Sequence, residues 1–362
     1  MNCWNSIFSF LLIFDLFCAC QYSNAQTKTW INSSLDGDWN NPVNWTPPGT
    51  PLSTDVVYFS ASSSNYDAKL SASISLAGLY ITDFTGTIDL DGNDVSIFGE
   101  VEITSGSIFS SIGAPFLIIF NSGTTRFENT SLEVITYSLS SDVYLSGNEF
   151  IESVYFSKSG NADNYSAGDN IFYTNSVLEI SGAGNLIMGN LSGDTFEDLI
   201  DLNNYGTGTL WLGYSGTSNF SSTISIDNAV GNIHFGNATS QINFNPGANI
   251  KISNFTGGTL TLQSIQDFNT DLMDLILTDG ATLNIKSCIF NRPIQIESPR
   301  FFTSFSRFRN SLSVEKTGDL DDASLGGNQY DGDLSITNSS NYFILFGANA
   351  ATPPDVYNGQ VT

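Results

Sequence analysis

The sequence predicts an all-β protein built as an elongated parallel β-solenoid, or β-helix, and three observations carry that expectation. Short triplets with apolar ends and a polar middle recur at near-even spacing: Ile224-Ser225-Ile226, Ile233-His234-Phe235, Ile242-Asn243-Phe244, Ile250-Lys251-Ile252 and Leu260-Thr261-Leu262, their first residues 9, 9, 8 and 10 positions apart. Helical periodicity is nearly absent after residue 25, and Gly, Asn or Asp follows each strand pattern within a few positions. No Pro-rich or Ser/Gly linker divides residues 61 to 346, so tandem β-sandwiches, the alternative use of such strands, lack a boundary.

Strand side chains alternate between two faces, so each triplet buries its two apolar ends and shows its polar middle to water. Three sides of about nine residues make a coil of about 27, and such coils stack at the interstrand spacing of about 4.8 Å.

Taken from the amino terminus, Ile7 to Ala19 is an apolar stretch broken by Asp15, too short for a membrane span, and Ser23-Asn24-Ala25 follows with small residues. Residues 1–25 therefore read as a signal peptide, although Met1 to Ser6 carries no Lys or Arg. Lipoprotein processing at Cys20 is the weaker alternative, because Phe17 and Cys18 suit a lipobox poorly. Removal of that segment leaves Cys288 as the single thiol of the mature chain, so an internal disulfide is excluded and burial must hold the fold together. Residues 26–60 form a Trp-rich capping module, with Trp30, Trp39 and Trp45 placed to cover the open end of a solenoid. Residues 61–362 then read as continuous solenoid repeats.

A longer period overlies the short one. Residues 150–172 align without gaps to 308–330, with Phe150/Phe308, Ser153/Ser311, Lys158/Lys316, Gly160/Gly318, Asp163/Asp321, Ser166/Ser324, Gly168/Gly326 and Asn170/Asn328 identical. Eight identities in 23 positions exceed the roughly one or two of ordinary usage. The shift of 158 residues corresponds to about six coils of the expected length. The second copy is expected to be truncated at Thr362.

The run Cys288 to Pro293, then Ser298-Pro299-Arg300-Phe301-Phe302, Val314-Glu315-Lys316-Thr317-Gly318, Gly326-Gly327-Asn328-Gln329-Tyr330 and Asp355-Val356-Tyr357-Asn358-Gly359, resembles a large repeat of secreted, adhesin-like surface proteins of Bacteroidota bacteria, over roughly residues 145–362. Trp30, Trp39, Asn44-Trp45 and Asp55-Val56-Val57-Tyr58 are similar to a Trp-rich module at the start of secreted β-helical proteins. The resemblance implies export, an extended β body and a role at the cell surface or in the matrix, and it brings no catalytic residues.

Thirty-six acidic residues against 11 basic ones give a formal charge of -25, which disfavours nucleic acid and anionic lipid as partners. His234 is the one histidine, which excludes multi-histidine zinc sites and makes a Ser/His/Asp triad remote. Cys288 reads as a small buried hydrophobe rather than a nucleophile. Asp89-Leu90-Asp91-Gly92-Asn93-Asp94 has the alternating acids of a calcium loop but reads better as a turn, because the strand Val95-Ser96-Ile97-Phe98 separates it from Glu100. The polar excursions Lys158 to Asn170 and Lys316 to Asn328 carry Asp163, Asp169, Asp319, Asp321 and Asp322, a second candidate place for calcium. Arg292, Arg300, Arg307 and Arg309 cluster in an acidic chain, as charge balance or as a site for an acidic polysaccharide.

No catalytic, cofactor-binding or metal residue is assigned, and no cofactor is expected, calcium being the alternative. The expected function is that of a non-catalytic, secreted, adhesin-like cell-surface or matrix protein. It would present polar loops to glycans or neighbouring cells, with no membrane span in the mature chain. A polysaccharide-degrading β-helix enzyme and a carbohydrate-binding module that stacks sugars on Trp39 or Trp45 are the alternatives.

Overall fold

A computed structural model describes residues 25–63, 67–121, 123–278, 280–347 and 351–362. The expected signal peptide lies, apart from Ala25, outside the described residues. Alternating side chains and short strands give the expected architecture: from Val56–Phe59 onward strand neighbours within each sheet are three strands apart in sequence, and their pairings are parallel. The chain is a parallel β-solenoid, and the parallel ladders rule out the tandem-sandwich alternative. The exception is Thr27–Trp30 against Trp45–Thr46, which pair antiparallel at the amino-terminal end. Helix among the described residues is confined to the 3-10 turns Pro42–Asn44 and Ala61–Ser63.

Among the described residues, one wall is a single 14-stranded sheet, a second is a nine-stranded sheet followed by a four-stranded one, and the third runs through successive seven-, seven- and two-stranded sheets. A representative coil runs Thr195–Phe196, Ile200–Asn204 and Thr209–Leu212, before Thr217–Phe220 returns beneath the first strand. The five triplets fall on successive walls, with Ile224 over Ile250 and Ile233 over Leu260, so the coil there is 26 or 27 residues.

That length is local rather than general. Leu132 to Phe150 and Phe290 to Phe308 are 18-residue coils, Phe172 to Phe196 is 24, and Tyr330 to Tyr357 is 27. Seven coils therefore separate Phe150 from Phe308, rather than six. Corner length sets the variation, because the sides are fixed by the sheets while corners accept insertions.

The core is a column of stacked side chains. Phe150, Phe172, Phe196 and Phe220 lie ring on ring at 4.8, 4.7 and 4.9 Å, the spacing of the strands that carry them. Phe290, Phe308, Tyr330 and Tyr357 continue the column at 5.7, 5.4 and 5.1 Å. At the amino-terminal end Trp30, Trp39 and Trp45 are buried and pack with Phe59, centroids 4.7 to 6.4 Å apart.

The long repeat marks a joint in the third wall. Where the strand Asp142–Ser146 meets Asn164–Tyr165, backbone pairing is replaced by side chains: Val143 N–H donates to Asn164 Oδ1 and Leu145 N–H to Ser166 Oγ, both at 3.0 Å. In the second copy Phe301 N–H donates to Asp322 Oδ2 and Thr303 N–H to Ser324 Oγ, again at 3.0 Å. Gly168 and Gly326 bridge back to Ser146 and Ser304 with φ of 108° and 106°. A Cβ on Gly168 would lie 1.8 Å from the Ser192 carbonyl oxygen, so the position admits only glycine. Lys158 and Lys316 are fully buried and donate to the Gly160 and Gly318 carbonyls. The copies differ in where the charge sits. Asn164 donates to Asp142 in the first, whereas in the second Asp322 accepts from Arg300 and Lys316.

Candidate functional site

The residues singled out from sequence are mostly consumed by the fold. Cys288 is buried at a corner, where its Sγ lies 3.2 Å from the Leu262 carbonyl oxygen, and burial pushes its thiol up to about 12. It is therefore protonated and unreactive. His234 faces outward from its strand but packs against Trp211, ring centroids 4.6 Å apart, and burial lowers its pKa to about 4. The imidazole is neutral at physiological pH.

In the Asp89 to Asp94 segment, Asp89 accepts from the Asp91 and Ser111 backbone N–H groups and from the Ser111 hydroxyl. Lys69 lies 3.5 Å from Asp89 and 2.9 Å from Asp91. Asp163 and Asp321 accept the Asn185 and Phe343 backbone N–H groups. Among the described residues no three His, Cys, Asp or Glu side chains gather into a group that could hold a metal ion.

The four arginines do not form an open cationic patch. Arg292 is fully buried and clamps Asp267, Nε to Oδ2 at 3.0 Å and Nη2 to Oδ1 at 2.7 Å. Arg300 pairs with Asp322, Arg307 with Asp331, and Arg309 donates to Asn291. A groove of about 540 Å³ beside Arg300 is also lined by Glu297 and Asp319, so its charges oppose one another. The three amino-terminal indoles are buried, so neither Trp39 nor Trp45 offers a ring face to a sugar.

A different surface stands out, on the nine-stranded wall. In the strand Ile135–Ser140 the alternation runs inside out: Thr136, Ser138 and Ser140 are buried, while Ile135, Tyr137 and Leu139 point outward. The Ser138 and Ser140 hydroxyls satisfy each other and Thr125, with Ser140 to Thr125 at 2.6 Å, Ser138 to Thr125 at 3.1 Å and Ser138 to Ser140 at 2.9 Å, while the Thr136 hydroxyl donates to the Val134 carbonyl. The preceding strand, Phe116–Phe120, presents Phe116, Ile118 and Phe120 on the same outer face.

Register aligns these side chains into rows along the solenoid axis. Ile118, Tyr137, Tyr155 and Val177 form the central row, with Phe116 and Ile135 on one side and Phe120 and Leu139 on the other. Phe98 extends the strip, its ring 6.3 Å from Phe120. Phe98, Phe116 and Phe120 are 58%, 43% and 42% exposed, which leaves much of their apolar surface in water. Polar groups edge the strip. Asn121, Ser157, Ser159, Ser181 and Glu179 join Phe120 and Leu139 around a shallow groove of about 510 Å³. Glu179 accepts from the Tyr155 and Ser157 hydroxyls, each at 2.8 Å. Asp201 follows Val177 in the central row, and burial, then the charge of Asp227, raise its pKa above the ordinary value.

Sequence reading did not find this strip. Apolar and polar residues alternate in Ile135 to Ser140 as in any half-buried strand, so the pattern predicts Ile135, Tyr137 and Leu139 inside, the reverse of their placement in the structure. The class the fold defines is thus the parallel β-solenoid, carrying an apolar strip on one outer wall. Comparisons of the chain with family models, curated proteins and solved structures returned no match. No helix among the described residues is long and apolar enough to cross a membrane.

Proposed function

We propose that this protein is a non-catalytic, secreted, adhesin-like component of the cell surface or matrix, and that it engages its partners through the outer strip of the nine-stranded wall. The inversion of the strand Ile135–Ser140 carries this reading. Turning Ile135, Tyr137 and Leu139 outward leaves them half-buried and forgoes part of the roughly 1.5–3 kcal/mol that full burial of a large side chain gives, while three hydroxyls occupy core positions. Folding alone gives no reason for that exchange; a surface that is covered when a partner binds does. The expected partners, glycans or neighbouring cells, remain as read from the sequence, but the contact shifts from polar loops to a sheet face.

The competing reading, a polysaccharide-degrading enzyme, has one observation in its favour: Asp201, with its raised pKa, lies at the end of the strip next to Asp227. Beads coated with the full chain test both. Adhesion of beads to cells or matrix should fall at least fivefold in the variant Phe116→Thr/Phe120→Thr, with no release of reducing sugar from polysaccharide mixtures. Undiminished adhesion would remove the strip from function. Sugar release lost in Asp201→Asn would establish the enzyme instead.

A further inference from the structure

The strip has dimensions and a charge environment that narrow what can lie on it. It spans five coils, about 19 Å, and is three apolar residues wide, about 13 Å, at Phe116–Phe120 and Ile135–Leu139 and narrower elsewhere, so its area is below about 250 Å². A stable pair of protein surfaces buries about 800 Å² on each side, so the strip alone is too small to hold a second copy. Repulsion works against a second copy as well. The chain carries a formal charge of -25, and Asp94, whose carboxylate accepts the Phe116 N–H, and Glu179 and Asp201 all border the strip.

The same acids argue against an anionic polymer. Along the central row the next cation is Lys251, three coils beyond Val177, and Arg292, Arg300 and Arg307 are paired with acids elsewhere. A narrow, extended occupant without negative charge is left, and the rows under it offer a cation little, since apart from Glu179 they carry no charge and both Glu179 oxygens already accept from Tyr155 and Ser157. The backbone hydrogen bonds of these strands are already spent on their neighbours within the sheet, so a peptide strand gains no ladder on this face. Apolar rings and aliphatic chains beside a groove of hydroxyls, an amide and a carboxylate match instead the two-sided character of a sugar ring, whose C–H faces are apolar and whose rim is hydroxyl.

Resting on the reading of the strip as a binding face, we propose that its occupant is a neutral, linear polysaccharide lying along the solenoid axis, over Phe98, Ile118, Phe120, Tyr137 and Tyr155, with hydroxyls directed to Asn121, Ser157 and Glu179. Immobilised full chain, challenged with neutral glucan and mannan oligomers, polygalacturonate and chitosan oligomers, tests this. Binding of a neutral oligomer is expected, weakened at least tenfold by Phe116→Thr/Phe120→Thr and by Glu179→Ala, and unchanged by Arg300→Gln. Absence of neutral-oligomer binding, binding of the charged polymers alone, or retention within twofold in the Phe variant overturns the assignment. Bead adhesion separates this failure from that of the underlying reading. If no glycan binds and the Phe variant still abolishes adhesion, the strip serves a protein partner; if adhesion also survives, the strip is not a binding face.

Discussion

Replacement of Arg292 by methionine is expected to lower the unfolding free energy by about 3–5 kcal/mol, the cost of stranding a buried charge. Asp267 occupies the place in the core column where Phe244 lies one coil before and Phe290 one coil after. Neither partner reaches solvent, at 1% and 0% side-chain exposure. Arg292 also donates to the Ala248 carbonyl and to Asn249 Oδ1, where the nine-stranded sheet ends and the four-stranded sheet begins. The pair therefore closes a break in the wall with charge-assisted hydrogen bonds instead of a ladder. Urea unfolding checks the expectation, and a variant within about 0.5 kcal/mol of the parent chain would show that the pair is dispensable. The double variant Arg292→Met/Asp267→Phe, which restores the aromatic column, should recover part of the loss, because an apolar replacement of a buried pair is often close to neutral. Full recovery is not expected, since the Asn269 and Asn291 backbone N–H groups lose the Asp267 carboxylate as acceptor.

The second large effect concerns pH. Asn148, Asn170 and Asp194 form a buried corner ladder, Asn148 Nδ2 to Asn170 Oδ1 and Asn170 Nδ2 to Asp194 Oδ1, both at 2.8 Å. The other carboxylate oxygen of Asp194 is buried without a hydrogen-bond partner. Burial pushes its carboxyl up to about 7 from an ordinary 3.8, opposed by the hydrogen bonds from Asn170 and reinforced by the charge of Asp169. Between these values the folded chain holds a proton that the unfolded chain releases. Stability from this group is thus fully present below about pH 4 and lost as pH rises to about 7. A difference of this size corresponds to roughly 4 kcal/mol at most. In Asp194→Asn the difference in unfolding free energy from the parent should grow in the variant's favour across that window and then level off. At pH 8 the net gain should be smaller, about 1–3 kcal/mol, because the asparagine N–H₂ would also lack a partner. A difference that does not change with pH would show that Asp194 is ionised throughout.

Residues that repeat in kind announced the fold, and residues that break a pattern hid the site. Triplets such as Ile233-His234-Phe235 predicted strand, face and stacking together, because an apolar residue on either side of a polar one has one good solution at a sheet wall. The 158-residue repeat was visible as letters, yet its purpose was not, since nothing in Ser166 or Ser324 says that a hydroxyl will accept a backbone N–H across a gap in the sheet. The coil of 26 or 27 residues at Ile224 to Leu260 does not extend along the chain, because coils as short as that from Phe290 to Phe308 have 18. Arg292 reads as surface charge in the sequence because its partner, Asp267, lies 25 positions away, on the neighbouring coil. The outer strip is least legible of all: the alternation of Ile135 to Ser140 points its apolar residues inward, and the hydroxyl packing of Ser138 and Ser140 against Thr125 reverses it.

Melting of the variant Phe116→Thr/Phe120→Thr tests most directly the claim that the strip exists to bind rather than to hold the chain together. Threonine keeps the strand preference of the positions while removing their apolar surface. If the phenylalanines serve a partner, the midpoint should stay within about 2 °C of the parent chain, in line with surface changes of under 0.5 kcal/mol each. A fall of more than about 6 °C, the mark of lost packing, would mean that these rings are part of the fold's own core and would contradict the claim.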